Sequence, residues 1–310
     1  MNRSLQRDSM NKIILFSLVL LYTTNIFANE NLEIKSGSYL ANDTPKLYKA
    51  IQSKEYKALS NLLKSGEDPC QRMRYKYKHV MNTATAFDYA IRTGDNKIVK
   101  EFLPYIKNLT IPCSLKPSLF YAISTDNISM MQFLIQNGAD INYESKYAPQ
   151  NTALEESLML DKIQSAQFLI ENGAKMPVES QVKILKHAVT TLRIDTIRFL
   201  INKKMDLNYQ NKNGNTILHI IAKGKIDKNV EGLQKLCDSE YVQKIPGYRE
   251  SIQKTIDELK SKWDNYPKII QLLVDNGASY KQKNKGGKTP YTLAKENNTE
   301  IMLDFFKNMK

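Results

Sequence analysis

The sequence predicts an all-α repeat solenoid, in which pairs of short helices are joined by hairpin-like fingers and interrupted by one helical insertion. Three observations predict it. The same residue types return at fixed offsets along residues 45–310, the step between units is about 33 residues, and a glycine follows the second helix of several units. A step of about 33 residues is typical of a turn followed by two short helices. Such an array buries apolar surface between neighbouring units rather than around one centre.

Each repeat unit opens with threonine, proline or lysine and has an apolar residue two positions later. A small residue usually follows five positions after the start, and its small size lets the paired helices approach closely. The seven sets are Pro45/Leu47/Ala50, Thr85/Phe87/Ala90, Pro117/Leu119/Ala122, Thr152/Leu154/Ser157, Lys183/Leu185/Ala188, Thr216/Leu218/Ile221 and Thr289/Tyr291/Ala294. An apolar pair in the second helix follows at a fixed distance, as in Leu62-Leu63 and Leu169-Ile170. In the sixth unit this pair, Leu273-Val274, comes 40 residues late.

Glycines mark the ends of the second helices. Gly66, Gly138, Gly173 and Gly277 hold equivalent positions, where a left-handed residue ends a helix and glycine avoids a clash of its Cβ atom. In the fifth unit Lys204 stands there instead, and a left-handed lysine costs about 1 kcal/mol.

Three segments carry a resemblance to a known family. Thr216-Ile217-Leu218-His219, the stretch 136–142 (Gln-Asn-Gly-Ala-Asp-Ile-Asn) and Asp275-Asn276-Gly277-Ala278 resemble ankyrin repeats over residues 45–310. The resemblance implies a binding protein that uses its fingers and first helices, with His219 tying turns together. Exported ankyrin-like proteins of this size also resemble immunity proteins that neutralise envelope-targeting toxins.

Residues 1–28 are predicted to be a signal peptide. Arg3, Arg7 and Lys12 precede the apolar run 13–22, and a cleavage site ends at Ala28. Ten apolar residues span about 15 Å as a helix, half of the bilayer core. We therefore expect export to the periplasm, or secretion, with no stable membrane anchor after cleavage. Residues 29–44 are predicted to be a flexible lead to the array.

Export makes a disulfide between Cys70 and Cys113 a candidate, because they follow the first two units and the compartment is oxidising. The chain-entropy model gives such a link about 4 kcal/mol. The alternative is two unpaired thiols that are too far apart. Cys237 remains alone, and three cysteines at these separations do not predict a zinc site.

Basic residues gather on the fingers, and the net charge of the chain is +13. Between the first two units, cations alternate with tyrosines in a pattern that suits a protruding two-stranded finger. The candidate partner-binding residues are Arg72, Arg74, Tyr75, Lys76, Tyr77, Lys78 and His79 on this finger, with Lys212, Lys283 and Lys285 on later ones. Such charge steers an acidic protein; the alternative is a solvated lysine-rich surface with tyrosines packed on the next repeat.

The insertion at 225–264 is predicted to be a helical hairpin. Ile252, Ile256, Leu259 and Trp263 recur at helical spacing. The segment either anchors a partner through Trp263 or covers the edge of the array itself.

No catalytic, metal or cofactor site is predicted. His79, His187 and His219 have no Cys, Asp or Glu partner at catalytic spacing. Lys285-Gly286-Gly287-Lys288-Thr289 lacks the upstream glycine and strand of a phosphate-binding loop, so it predicts a hairpin tip and a helix N-cap. Glu155 and Glu156 are adjacent and do not share a helix face.

The leading hypothesis is a monomeric, non-enzymatic scaffold that binds or inhibits another protein in the bacterial cell envelope. A secreted effector that binds host proteins is the second hypothesis, and an enzyme with its site in the insertion is a third. Nucleic acid is not an expected partner, since an exported protein seldom meets it and the chain has no nucleic-acid module.

Overall fold

The computed structural model describes residues 46–77, 80–113, 116–146, 150–223, 232–243, 248–263 and 266–308. Only the backbone is described at 73–77, 80–83, 241, 243, 248, 258–259, 261–263, 300 and 308. The predicted signal peptide and lead therefore lie outside the described residues. The described chain divides into two compact units, of which one ends at Met176 and the other begins at Pro177.

The first compact unit, which ends at Met176 and spans several repeats, contains four helix pairs and a β-hairpin in its described part. Its helices are α1 (Lys46–Gln52), α2 (Tyr56–Lys64), α3 (Ala86–Thr93), α4 (Asn96–Phe102), α5 (Ser118–Ser124), α6 (Ile128–Gln136), α7 (Ala153–Met159) and α8 (Ile163–Glu171), with a 3-10 turn at Leu103–Tyr105 after α4. Each first helix contacts the first helix of the next pair, and among the second helices α2 contacts α4 and α6 contacts α8. The fixed offsets in the sequence are thus the contact positions of a stack.

The core of this unit is made by the repeated apolar positions. Leu47, Phe87 and Leu119 are at most 2% exposed, and the small residues Ala90 and Ala122 are fully buried. Each pair therefore removes its apolar stripe from water, which is the main stabilising term in such arrays.

Helix starts follow the predicted chemistry. Thr85 forms a capping box with Asp88, in which each side chain accepts a hydrogen bond from the other residue's backbone N–H group. The Thr152 hydroxyl accepts the Glu155 N–H group. These bonds satisfy amides that the first turn of a helix leaves without partners.

Helix ends also follow the prediction. Gly66, Gly138, Gly173 and Gly277 have φ between +92° and +98°, and Lys204 has φ +57°. The predicted left-handed caps are present in both compact units.

The predicted two-stranded finger is an antiparallel hairpin. Strand β1 (Arg72–Tyr77) pairs with β2 (Val80–Thr85), and Arg72 lies opposite Thr85 while Tyr77 lies opposite Val80. Strand β2 ends at Thr85, the residue that caps α3, so no linker separates the finger from that helix.

The second unit contains the remaining helices. They are α9 (Val178–Thr190), α10 (Ile194–Asn202), α11 (Ile217–Ala222), α12 (232–237), α13 (Glu240–Gln243), α14 (Tyr248–Trp263), α15 (Tyr266–Asp275), α16 (Pro290–Asn297) and α17 (Glu300–Asn308). Although the insertion separates α11 from α16 in sequence, these first helices of two successive repeats contact each other. The Thr299 hydroxyl donates to the Ala222 carbonyl over 2.8 Å.

The insertion has a small apolar core of its own. Leu233, Cys237, Val242, Ile252 and Ile256 pack together and are each at most 8% exposed. Within the insertion predicted to be a helical hairpin, the described residues form α12 over 232–237 and α14 over Tyr248–Trp263, and both contribute to this core. The Trp263 side chain, the proposed partner anchor, lies outside the described side chains.

Candidate functional site

Two turns of the second compact unit carry predicted basic residues. The turn 211–215 contains Lys212, the turn 284–288 contains Lys285, and Lys283 directly precedes the second turn. We call the segments 211–215 and 283–288 the lysine tips. The turns 211–215 and 284–288 have the same construction. The Asn211 side-chain oxygen accepts the backbone N–H groups of Asn213 and Asn215. In the same way, the Asn284 side-chain oxygen accepts the backbone N–H groups of Gly286 and Lys288. Lys212 and Lys285 each follow the turn asparagine, so they hold equivalent positions.

The two lysine tips are bonded to each other. The Lys285 N–H group donates to the Asn213 carbonyl over 3.2 Å, and the Asn284 amide donates to the Asn215 side-chain oxygen over 2.9 Å. The Gln210 amide donates to both tips, to the Gly214 and Lys283 carbonyls. The backbone beneath the three lysines is therefore held before any partner arrives.

Gly214 is required for this close approach. Its φ is +73°, and a Cβ atom added there would lie 2.5 Å from the Lys285 backbone nitrogen. Any larger residue would push the two lysine tips apart.

The lysines of the tips face solvent. Lys212, Lys283 and Lys285 are exposed, and among the described residues no carboxylate forms an ion pair with them, whereas neighbouring Lys288 pairs with Glu296 at 2.6 Å. Uncompensated positive charge thus lies on a rigid surface, an arrangement that attracts anionic partners.

His219 connects a lysine tip to the helix behind it. Its Nδ1 atom accepts the Thr216 N–H group over 3.2 Å and lies 2.8 Å from the Thr216 hydroxyl, and its Nε2 atom is 2.9 Å from the Lys288 carbonyl. The ring is fully buried. These contacts fit a neutral ring with its proton on Nε2, and burial lowers the pKa of His219. His219 ties the turns together, as the resemblance implies.

The basic finger belongs to the first compact unit, whereas the lysine tips belong to the second. Arg72 is exposed at the start of β1. Arg74, Tyr75, Lys76 and Tyr77 lie on the described backbone of β1 but have no described side chains, and Lys78 and His79 lie outside the described residues. Their role in binding remains a prediction.

A second group of charged residues, which the sequence analysis did not single out, lies on the first helices of the first unit. We call it the Tyr121 cluster: Asp88 and Arg92 of α3, Lys116 and Tyr121 at α5, and Glu156 of α7. The Arg92 guanidinium lies 5.1 Å from the centre of the Tyr121 ring, and the Lys116 ammonium lies 5.5 Å from it. Two cations thus share one aromatic ring.

The acidic members of the cluster lie deeper than its lysine. Asp88 is 1% exposed and caps α3. The side chain of Glu156 is 12% exposed, whereas that of Lys116 is 42% exposed, and their charged atoms are 3.9 Å apart. Burial raises the pKa of Asp88, and burial lowers the pKa of Lys116, with nearby Arg92 lowering it further while Glu156 and Asp88 act in the opposite direction. The most exposed charge that these values show, that of Lys116, is therefore paired with a carboxylate that lies deeper.

Cys70 and Cys113 are brought together in the first unit. Their Cα atoms are 5.0 Å apart, within the range that a disulfide requires, and the structure accommodates the bond. Cys237 is a buried free thiol in the core of the insertion.

Groups that could support other chemistry are sparse in the described part of the chain. No three His, Cys, Asp or Glu side chains gather there to hold a metal ion. None of the described helices has the length and apolar character needed to cross a bilayer. Lys285-Gly286-Gly287-Lys288 forms a tip, and the Thr289 hydroxyl caps α16 by accepting the Thr292 N–H group, as predicted.

Family models described as ankyrin repeats match most of the paired helices. A three-copy model matches residues 47–145 and 87–180, and a many-copy model matches residues 184–236. The chain belongs to the ankyrin repeat family. Ankyrin repeats mediate protein–protein interaction, and ankyrin domains are typically binding scaffolds without catalysis.

Solved structures similar to this chain include two ankyrin domains. The human ASB11 ankyrin repeat domain is 18% identical, with 84% of this chain and 97% of that chain covered and a TM-score of 0.49. The ankyrin repeat domain of Bcl-3 is 15% identical, with 84% and 99% covered and a TM-score of 0.49. No curated protein matches the sequence.

Proposed function

We propose that this ankyrin repeat protein is an exported, non-enzymatic scaffold of the bacterial cell envelope that binds and inhibits a partner protein with an acidic surface. The observation that carries the proposal is the pair of mutually bonded lysine tips, which present Lys212, Lys283 and Lys285 to solvent. By family analogy the role resembles that of an immunity protein, and the partner is then a toxin that acts on the envelope.

The construction of the tips suits recognition of a folded protein. The backbone hydrogen bonds beneath the lysines fix where the positive charges lie, so little backbone ordering is required on binding. Exposed charges chiefly raise the association rate and select against basic partners, and these effects weaken as salt screens them. We therefore expect fast, salt-sensitive association with an acidic partner.

The proposed compartment is supported by the predicted signal peptide and by the placement of Cys70 beside Cys113. A disulfide persists in the oxidising periplasm and is rare in the cytosol. We expect the mature chain to begin after Ala28 and to be recovered from the periplasmic fraction with these cysteines linked. Mass spectrometry of non-reduced peptides checks both points; a cytosolic, fully reduced chain that retains its N-terminus contradicts the proposed compartment.

The experiment that tests the function is capture of the partner from a periplasmic extract of the organism that encodes the chain. The bait is the mature chain, and the test variant carries Lys212→Glu, Lys283→Glu and Lys285→Glu. A matched variant with the same change in net charge carries Lys203→Glu, Lys235→Glu and Lys295→Glu, which are exposed residues elsewhere in the second unit. Thermal melts show whether all three proteins are folded.

We expect the wild-type chain and the matched variant to retain one acidic protein in stoichiometric amount at moderate salt, and the test variant to lose it. The captured protein should also lose its own activity when the chain is added. A partner retained equally by the test variant rules out the tips as the binding site, and the absence of any stoichiometric partner contradicts the function.

A further inference from the structure

We propose that three aromatic side chains beside the second lysine tip form a contact site for an apolar side chain of the acidic partner protein. We call Tyr280, Tyr291 and Phe306 the aromatic patch. The apolar side chain that it takes is one flanked by carboxylates on the partner. This inference deepens the proposed function and rests on it for the class of partner.

The aromatic patch lies at the base of the second lysine tip, 283–288. Tyr280 precedes this tip in the chain and Tyr291 follows it, and the Phe306 ring of α17 contacts both. The centre of the Phe306 ring is 6.0 Å from that of Tyr280 and 5.5 Å from that of Tyr291, ordinary distances for aromatic pairs. The chain therefore enters and leaves the tip beside the same ring, which makes the patch and the tip neighbours in space.

Tyr291 is exposed where the other repeat units bury an apolar side chain. Its side chain is 47% exposed, whereas the equivalent residues of the other six units are each at most 2% exposed. Those residues are Leu47, Phe87, Leu119, Leu154, Leu185 and Leu218. Because this apolar ring surface is in contact with water, covering it with an apolar side chain of a partner is favourable.

The rings of the patch are held in place before a partner arrives. Tyr280 and Phe306 are half-buried, and Phe306 also packs on the ring of buried Phe305 at 5.8 Å. The Tyr291 ring meets Phe306 edge to face. Side chains that are already packed lose little freedom on binding, and tyrosine is enriched among the residues that dominate protein interfaces.

Exposed lysines flank the patch and select the surroundings of the apolar side chain. The Lys281 ammonium lies 5.6 Å from the centre of the Tyr280 ring, and Lys283 begins the tip. Both lysines are exposed, and neither forms an ion pair with another described residue. Positive charge beside an apolar surface is complementary to an apolar side chain with carboxylates next to it.

The acids on the adjoining helices have lysine partners of their own. Glu296 of α16 pairs with Lys288 at 2.6 Å, and Asp304 of α17 pairs with Lys307 at 3.0 Å. A second copy of this chain fits the patch poorly, because a symmetric contact would bring the unpaired lysines of both copies together. The charges therefore favour an acidic protein over self-association.

NMR titration of the mature chain with short peptides tests the patch. The probes are N-acetyl-Asp-Leu-Asp amide, N-acetyl-Asp-Gly-Asp amide, which lacks the apolar side chain, and N-acetyl-Lys-Leu-Lys amide, which reverses the charge. The readouts are the ring resonances of Tyr280, Tyr291 and Phe306 and the backbone amides of residues 279–283. The three probes separate the apolar contribution from the charge contribution.

We expect saturable shifts with the Asp-Leu-Asp peptide, at millimolar affinity, and about tenfold weaker binding of the other two peptides. Tyr291→Ser should weaken binding of the first peptide about tenfold, whereas Tyr291→Phe keeps the ring and should retain most of the affinity. Tyr105→Ser removes a tyrosine that is 38% exposed in the first compact unit and should change nothing. An undisturbed Thr292 amide, which donates to the Thr289 hydroxyl, shows that α16 remains capped in the variants.

Sedimentation velocity over a range of chain concentrations tests the other occupant. We expect a monomer at every concentration. A dimer that forms as the concentration rises, and that Tyr291→Ser abolishes, would replace the acidic partner with a second copy of the chain.

Equal binding of all three peptides, or unchanged affinity in Tyr291→Ser, would overturn the aromatic patch. The two proposals fail separately. Peptide binding without capture of any periplasmic protein would contradict the proposed function and leave the patch as a binding site. Capture that Tyr291→Ser fully retains, together with no peptide binding, would contradict the patch alone.

Discussion

At the scale of the residue, Lys204 shows that the position ending the second helix of a repeat requires a left-handed backbone conformation. Its φ is +57°, whereas glycines fill the equivalent positions Gly66, Gly138, Gly173 and Gly277. The Cβ atom of an L-residue in this conformation crowds the following carbonyl oxygen, at a cost of about 1–2 kcal/mol. The fifth repeat therefore stores a strain that its neighbours avoid.

Lys204→Gly is expected to stabilise the fold. Relief of the left-handed strain outweighs the extra freedom of glycine in the unfolded chain by about 0.5–1 kcal/mol, and the thermal midpoint should rise by about 2 °C. Lys203→Gly, at the neighbouring residue with φ −82°, is the control and should lower the midpoint. A lower midpoint for Lys204→Gly would contradict the account of the cap.

His219 makes stability depend on pH. Because burial lowers the pKa of the folded histidine, the unfolded chain takes up the proton first as the pH falls. The contribution of His219 is therefore present above the ordinary histidine pKa of about 6.5 and is lost as the pH falls through the lower folded value.

The prediction is that thermal midpoints of the wild-type chain fall between pH 7.5 and pH 5, and that His219→Gln makes this fall smaller. Glutamine can still accept the Thr216 N–H group as a capping-box residue. His187→Gln is the comparison for loss of a histidine elsewhere in the same unit. Identical pH dependence in the wild type and His219→Gln would show that the buried ring does not control this behaviour.

At the scale of the element, asparagine side chains join successive repeats. Asn208 donates to the Gly277 carbonyl over 2.8 Å and accepts the Ser279 N–H group over 2.7 Å. Asn142 makes the same pair of bonds in the first unit, to the Gly173 carbonyl and the Lys175 N–H group. The insertion separates Asn208 from Gly277 and Ser279 in sequence, but both hydrogen bonds are present.

Asn208→Ala is expected to cost about 1–2 kcal/mol, because two hydrogen bonds between repeats are lost. Asn202→Ala, at an exposed position on the end of α10, removes an asparagine without such bonds and should change stability little. Thermal melts of the two variants measure the difference. Equal midpoints would mean that apolar packing alone holds α15 in register.

At the scale of the whole molecule, most of the fold could be predicted because its signals are local. Thr85, Gly138 and Thr152 each act within a few residues of the chain, and the repeat then places each signal at several equivalent positions. The hairpin finger was predicted from cations that alternate with Tyr75 and Tyr77 along its first strand.

The candidate sites were predictable to different degrees. Lys212 and Lys285 could be predicted because they are cations on the connecting fingers, although the hydrogen bonds between their two turns, from Lys285 N–H to the Asn213 carbonyl and from Asn284 to Asn215, depend on the stacking of the repeats. The Tyr121 cluster was missed because Arg92, Lys116 and Glu156 come from three successive repeats. Each is an ordinary charge in its own segment, and only the packing of first helices places them around one ring.

The central claim is that partner recognition takes place on the lysine tips. Hydrogen–deuterium exchange of the mature chain, alone and with the captured partner, tests it most directly. We predict that the partner slows exchange at the backbone amides of residues 211–216 and 283–289, while α10 and α15 exchange as they do in the free chain. Slowed exchange confined to α10 and α15, with both tips unchanged, would contradict the claim.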